Sequence, residues 1–215
     1  MGKIDPEALG YYFINNRKLS RKPVIETIAD AIRGGAKAIQ YREKDLPMTE
    51  VIQQAREVSE LCREKGVLLI INDHIDVAVS IDADGIHIGQ RDAKYAEARE
   101  AMGPDKIVGV SASSVAQAVA AAEAGADYVG IGPIFHTYTK RDAGRAIGLS
   151  TITQAKSKLS IPIVGIGGIT LENCASVIRA GADGVCAISD VIGSDDIAER
   201  VSEYLRLVAD AKSGK

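Results

Sequence analysis

Short apolar segments rich in valine, isoleucine and glycine alternate along this chain with longer segments whose apolar residues recur at helical spacing. The short segments have the length of strands and the longer ones have the length of helices. The alternation therefore predicts repeated βα units. Eight strands are predicted, at YYFIN (11–15), AIQYR (38–42), LLIIND (68–73), GIHIG (85–89), IVGVSA (107–112), YVGIG (128–132), PIVGIG (162–167) and GVCAIS (184–189).

One helix-to-strand junction recurs, as GGAKAIQ from residue 34, DADGIHIG from 82, AGADYVGIG from 124 and AGADGVCAI from 180. Each copy precedes an even-numbered strand, which indicates two βα units per period. Short parallel strands that are apolar on both faces favour closure into an α/β fold of the (β/α)8 TIM-barrel type. We predict one such domain over residues 1–215. The alternative is an open doubly wound sheet, but no GxGxxG motif follows the first strand.

The helix predicted between the second and third strands has the clearest boundaries. Its sequence, MTEVIQQAREVSELCREKG (48–66), offers Thr49 as an N-cap and Gly66 as a stop signal. The segment after LLIIND, by contrast, is short for a helix. We therefore expect a reduced helix between the third and fourth strands.

Composition narrows the choice of partners. The 215 residues carry a formal net charge of −3, which argues against nucleic acid or an anionic membrane as the main partner. The three cysteines form no paired framework, and neither a signal peptide nor a membrane-spanning segment is recognisable. These features predict a cytoplasmic protein with reduced thiols. Whether it forms a homo-oligomer is left open.

Polar residues cluster where the predicted strands end, which in a barrel is the face that carries the active site. Every second residue of a strand points to the same face, so Gln40, Arg42 and Lys44 would form a cationic wall if the second strand continues to Lys44. If the strand ends earlier, these residues belong to a solvated turn. Asp73 and Asp92 end consecutive strands. Their carboxylates could converge on Mg2+, although aspartates at such places are also common turn and cap residues.

The later strand ends suggest a second anion-binding region. The GIGG segment at 165–168 can expose backbone amides to a phosphate, and Ile188 and Ser189 could add amides from the last strand. The segment GPIFHTYTKRD (132–142) turns from apolar to polar within a few residues and offers Thr137, Thr139 and Lys140. Glycines after a strand can equally serve close packing alone.

Seven motifs of this chain, taken in order, resemble those of thiamine phosphate synthases, and the resemblance extends from Tyr11 to Ser189. The motifs are QxRxK, ND, GxHxGQxD, VSA, GPIFxTxTK, GIGGI and AIS. The resemblance implies a (β/α)8 barrel and a Mg2+-dependent transferase. Such enzymes join a hydroxymethylpyrimidine pyrophosphate to a thiazole phosphate and release pyrophosphate.

The resemblance also implies roles for individual residues. Asp73 and Asp92 would hold Mg2+. Catalysis would rest on Arg42, Lys44, Ser111 and Lys140. The pyrimidine pyrophosphate would contact Gln40, Arg42, Lys44, Asn72, Ser111 and Lys140, and the thiazole phosphate would contact Thr137, Thr139, Gly168, Ile188 and Ser189.

One residue departs from the family pattern, and two other functions are considered beside the synthase. Ser113 stands after the fifth strand where the family commonly has histidine. A thiazole tautomerase of the same superfamily depends on that histidine, so Ser113 argues against this alternative, as do Lys44 and Lys140. A non-catalytic barrel that binds a phosphate ligand is the third possibility. His74 and His87 are expected to be packing or hydrogen-bonding residues.

Overall fold

The computed structural model of the chain describes residues 4–89, 95–139 and 144–214. Its eight strands form one parallel sheet in the order β1 to β8, and a bridge between Tyr11 and Val185 brings the last strand against the first. The predicted (β/α)8 TIM barrel is confirmed, and the open sheet is excluded. The strands are β1 (Tyr12–Ile14), β2 (Ala38–Tyr41), β3 (Leu68–Asn72), β4 (Gly85–Ile88), β5 (Ile107–Ala112), β6 (Tyr128–Ile131), β7 (Ile163–Ile166) and β8 (Gly184–Cys186).

Helices follow the strands and cover the outside of the barrel. Apolar residues of the helices and of the outward-facing strand positions form one continuous layer, and a smaller apolar cluster fills the interior. Within the described residues, no helix is both long and apolar enough to cross a bilayer. The helices are α1 (Val24–Arg33), α2 (Met48–Lys65), α3 (Ile75–Ser80), α4 (Tyr95–Met102), α5 (Val115–Glu123), α6 (Leu149–Lys156), α7 (Leu171–Arg179), α8 (Ile188–Ile192) and α9 (Ile197–Lys212).

The helix boundaries agree with the sequence in two cases and differ in one. Helix α3 has six residues and is short, as expected. Gly66 ends α2 in a left-handed conformation (φ 65°), which a glycine adopts without steric cost. The prediction of Thr49 as an N-cap is wrong, because α2 begins at Met48, with Pro47 at the cap position and no side-chain cap.

Every strand except β5 is shorter than predicted, and in two of them the difference affects residues proposed for the site. Strand β2 ends at Tyr41, so the alternation of Gln40, Arg42 and Lys44 does not continue as a strand. Strand β8 ends at Cys186, and Ile188 and Ser189 instead begin the short helix α8. In both cases the strand hydrogen bonding stops before the sequence pattern that predicted the strand, which is the alternation at β2 and the apolar run at β8.

The recurring junction has a structural cause at the opposite end of the barrel. In three of the four copies, an aspartate just before an even-numbered strand accepts the amide of a residue in the preceding strand. These bonds join Asp84 to Leu69, Asp127 to Val108 and Asp183 to Ile163, each at 2.8 Å. Lys37 replaces the aspartate in the first copy. The repeat thus marks side-chain bonds that connect neighbouring strands.

Candidate active site

The ends of β2 and β3 meet in a charged cluster. The Lys44 Nζ atom lies 2.5 Å from the Oδ2 atom of Asp73, and the Asn72 side-chain amide donates to the same oxygen at 2.5 Å. The side chain of Asp73 is 14% exposed and that of Lys44 is 41% exposed, so the pair lies at the mouth of the barrel and is open to solvent. Three residues that the sequence proposed for one site are therefore neighbours.

Asp73 adopts a left-handed backbone conformation with φ 62°. Aspartate tolerates this region better than most residues, but the conformation still has a cost and is frequent at functional sites. The amide of Asp73 donates to the carbonyl of His87 at 2.9 Å, which joins the ends of β3 and β4. The backbone thus holds the carboxylate at the mouth.

A chain of hydrogen bonds crosses the barrel interior from β2 to β5. The Gln40 amide donates to the Tyr12 hydroxyl at 3.1 Å, and the hydroxyls of Tyr12 and Tyr128 are 2.6 Å apart. The Tyr128 hydroxyl lies 2.9 Å from Nδ1 of His87, whose Nε2 lies 2.9 Å from Oγ of Ser111. Two predicted site residues, Gln40 and Ser111, are therefore linked through three buried aromatic rings.

The direction of these bonds follows from Gln40, because an amide nitrogen can only donate. Tyr12 can then donate to Tyr128, and Tyr128 to Nδ1 of His87, while Nε2 of His87 donates to Ser111. In this arrangement each donor from Gln40 to His87 has an acceptor. Burial raises the pKa of both Tyr12 and Tyr128, so both remain protonated donors at neutral pH. His87 is a hydrogen-bonding residue, as the sequence suggested.

The loops after β6 and β7 are joined by backbone hydrogen bonds. The amides of Ile134 and Phe135 donate to the carbonyls of Ile166 and Gly167 at 2.9 and 3.0 Å. Gly167 and Gly168 have φ values of 97° and 64°, and a Cβ on Gly168 would lie 2.4 Å from the carbonyl oxygen of His136. The GIGG segment is thus required for this close packing, whatever else its amides bind.

Thr137 and Thr139 follow directly in the β6 loop. Their hydroxyls are 3.3 Å apart and both residues are half-buried, while Tyr138 between them is 88% exposed. The two threonine hydroxyls therefore lie together on the less exposed side of this loop, an arrangement that suits binding to one anion.

The first turn of α8 carries Ile188 and Ser189. The first amides of a helix have no partner within the helix, so these residues can still offer amides to an anion although they are not in a strand. Tyr11 donates its hydroxyl to the carbonyl of Ala187 at 3.1 Å, and Asp190 accepts from the Tyr204 hydroxyl at 2.8 Å. Side chains from the residue before β1 and from α9 thus fix this turn.

Two predicted site residues, Asp92 and Lys140, lie outside the described residues, so their placement is not part of the site geometry. Among the described residues, no group of three or more metal-ligating side chains comes together. The cysteines do not contribute either, because Cys62, Cys174 and Cys186 are buried and unpaired. Burial raises the pKa of the Cys62 and Cys174 thiols to about 12, which disfavours thiolate chemistry.

Ser113, where the resemblance led us to expect histidine, contacts the first part of α5. Its amide and hydroxyl both donate to Oε1 of Gln117, at 2.7 and 2.9 Å. This position is exposed and serves the start of a helix.

Sequence reasoning missed four buried polar residues that shape the site. Asn15 holds the backbone of Arg42, with its Oδ1 accepting from the Arg42 amide at 2.7 Å and its Nδ2 donating to the Arg42 carbonyl at 3.1 Å. Glu43 accepts the two amides that follow it. The other two are Tyr12 and Tyr128. The only available signal was a polar group inside an otherwise apolar strand or at its end.

Comparison with known proteins matches residues 11–191 to the family described as thiamine monophosphate synthase. A thiamine-phosphate synthase of Methanosarcina barkeri is 42% identical over 93% of this chain and 90% of that protein. Another, of Moorella thermoacetica, is 45% identical over 94% and 96%. Among solved structures, thiamine phosphate pyrophosphorylase from Pyrococcus furiosus superposes with a TM-score of 0.88, at 36% identity over 96% of this chain and 98% of that one.

Proposed function

This chain belongs to the thiamine monophosphate synthase family, and from that premise we propose how its barrel carries out the reaction. It is a thiamine-phosphate synthase, a transferase that joins 4-amino-5-hydroxymethyl-2-methylpyrimidine pyrophosphate to 4-methyl-5-(2-phosphoethyl)thiazole and releases pyrophosphate. The observation that carries the proposed site is the meeting of Lys44, Asn72 and Asp73 at the mouth of the barrel.

The reaction requires the bond to pyrophosphate to break, so charge builds up on the leaving group. Fixed cations in a partly enclosed site stabilise such charge without a protein nucleophile. We assign this role to Arg42, Lys44 and Lys140, with Ser111 as a hydroxyl donor to the pyrophosphate. Gln40 and Asn72 then contact the pyrimidine pyrophosphate, and the link from Gln40 through Tyr12 supports a fixed orientation for its amide.

The metal proposal concerns Mg2+ at Asp73 and Asp92. Carboxylate oxygens are ligands that this hard cation prefers, and the Asp73 carboxylate lies at the mouth of the barrel, next to the proposed pyrophosphate site. The described part of the donor set therefore fits Mg2+. When bound, the ion would neutralise charge on the pyrophosphate. The chain itself would hold the metal through the two carboxylates and keep Lys44 beside it.

The thiazole phosphate is assigned to the opposite side of the mouth. Neutral hydrogen-bond donors are available there, which suit a phosphate that stays intact during the reaction. They are the hydroxyls of Thr137 and Thr139 and the backbone amides of Gly168, Ile188 and Ser189. This division leaves the cations for the departing group.

The tautomerase alternative needs a group that moves protons at the position of Ser113. A serine hydroxyl is a poor acid or base near neutral pH, and here it donates to Gln117. A non-catalytic binding barrel would use nearly the same residues as the synthase, so only turnover separates the two.

A turnover assay tests this function. With both substrates and Mg2+, we expect release of one pyrophosphate per thiamine phosphate formed, and no release when either substrate is omitted. A thiazole carboxylate phosphate offered alone should not isomerise. Isomerisation without pyrophosphate release would replace the synthase by the tautomerase, and binding of both substrates without any turnover would favour the binding barrel.

Three further expectations rest on the sequence. We propose a cytoplasmic location, small molecules as the main partners, and neither nucleic acid nor membrane among them. A homo-oligomer is compatible with these proposals, and its existence stays a prediction.

A further inference from the structure

Glu43 is a buried carboxylate next to the proposed pyrophosphate site. Its side chain is only 2% exposed, although it lies in the loop directly after β2 and between two cationic residues, Arg42 and Lys44. Burying an ionised carboxylate is costly unless its oxygens are well bonded. The burial therefore calls for an explanation in terms of what the carboxylate holds.

One oxygen of Glu43 organises the loop. Its Oε1 atom accepts the backbone amides of Lys44 and Asp45, each at 2.9 Å. Two hydrogen bonds from neighbouring amides to one charged oxygen are strong, and they turn the backbone away from an extended path. This explains why β2 ends at Tyr41 and why Lys44 does not continue the strand.

The second oxygen is held differently. Within the described part of the chain, Oε2 has no hydrogen-bond partner, and its contact is an ion pair with the Arg17 Nε atom at 3.5 Å. The Arg17 side chain is 52% exposed, so this pairing is weakened by solvent. The two amides of the loop are therefore the main partners of the carboxylate.

Neighbouring residues complete the support. Asn15 holds both backbone groups of Arg42, and Nε2 of His74 lies 3.2 Å from the carbonyl oxygen of Glu43. The loop is thus attached to the segments that follow β1 and β3. Its backbone is fixed at each residue from Arg42 to Asp45, and the ammonium of Lys44 reaches Asp73 from this fixed base.

We propose that Glu43 is a positioning residue, which acts through Lys44 by fixing the backbone from which the ammonium reaches the pyrophosphate. This inference rests on the proposed function for the identity of the ligand. Glu43 does not touch the substrate. Its carboxylate sets the position of Lys44, so its effect on turnover must pass through the lysine.

A double-mutant cycle tests this dependence, because residues that act through one another are not additive. Glu43→Ala should lower kcat about 10-fold or more, and the same change in a Lys44→Ala background should lower kcat by less than about threefold. Glu43→Gln keeps an oxygen that can accept both amides, so it should restore kcat to within about threefold of the unchanged protein. The matched control is Asp45→Asn, which changes an exposed carboxylate of the same loop that pairs with Lys18. It should leave kcat nearly unchanged.

Glu43→Asp serves if the alanine variant does not fold. It keeps the charge but shortens the side chain by one methylene, so it should lower kcat only when Lys44 is present.

The same double-mutant cycle can be measured without turnover, from the affinity for inorganic pyrophosphate determined by calorimetry. If the unchanged protein binds pyrophosphate but releases none from its substrates, the proposed function fails while the cycle in affinity still tests Glu43. Equal losses with and without Lys44, in kcat and in affinity, would show a purely structural role and overturn the inference.

Discussion

Asp73 combines a left-handed backbone with a carboxylate that receives both Lys44 and Asn72. The sequence could indicate that an ND pair ends a strand and that Lys44 follows a neighbouring strand. It could not indicate their contact, because β2 stops at Tyr41 and the lysine reaches the aspartate from a loop. The correct neighbours were thus predicted with an incorrect geometry for Lys44.

The metal proposal gives a prediction at the scale of this residue. If Asp73 and Asp92 bind Mg2+ as part of a metal–pyrophosphate unit, pyrophosphate at about 100 times its Kd should raise the melting temperature by about 5 °C with Mg2+. With EDTA, the shift should be less than half of that. Asp73→Asn should remove most of the difference between the two conditions.

The control is Asp76→Asn, which changes an exposed carboxylate in the first turn of α3 and should keep the full difference. Equal shifts with Mg2+ and with EDTA in the unchanged protein would contradict the metal assignment. This result would leave Lys44 and Asp73 as a charge pair without a metal role.

The sequence predicted the strands well where the local apolar pattern determines them. It predicted the strand ends poorly where a side chain binds the backbone and stops the strand. The apolar segments and the recurring junction predicted all eight strands and their order along the chain. The ends of β2 and β8 were missed, because the Glu43 carboxylate and the Tyr11 hydroxyl bind backbone groups there, and both bonds depend on the folded loop. Likewise, the repeat was recognised as a spacing, while its aspartate bonds were not.

Those aspartates give a prediction for the elements they join. Asp127 accepts the Val108 amide at 2.8 Å and pairs with Arg99 at 2.5 Å, and its side chain is 10% exposed. Asp127→Asn should lower the free energy of unfolding by about 2 kcal/mol, because a largely buried charge pair and a charged acceptor are both lost. Urea denaturation followed by circular dichroism measures it.

Asp82→Asn provides the comparison, since Asp82 pairs with Lys106 but its side chain is 84% exposed. Its urea midpoint should stay close to that of the unchanged protein. If Asp127→Asn unfolds at the same urea concentration as Asp82→Asn, the recurring aspartates do not stabilise the barrel, and the repeat needs another explanation.

At the scale of the whole molecule, parallel strands apolar on both faces and a four-fold repeat were enough to predict the barrel. The link from Gln40 through Tyr12, Tyr128 and His87 to Ser111 was beyond sequence reasoning, because these residues come from five different strands and converge only when the barrel closes. The departure from the family pattern at Ser113 stays a prediction. A single domain over residues 1–215 stays a prediction.

The central claim is that cations at the ends of the strands stabilise the departing pyrophosphate, while neutral donors hold the thiazole phosphate. The most direct measurement is the kcat for pyrophosphate release by Lys44→Ala, together with its Kd for the thiazole phosphate. Lys18→Ala, in an exposed lysine paired with Asp45, is the control. We predict that Lys44→Ala lowers kcat about 100-fold and changes the Kd by less than about threefold, because the ammonium acts mainly on charge that develops as the bond breaks. A kcat equal to that of Lys18→Ala, or a loss confined to binding of the thiazole phosphate, would contradict the account.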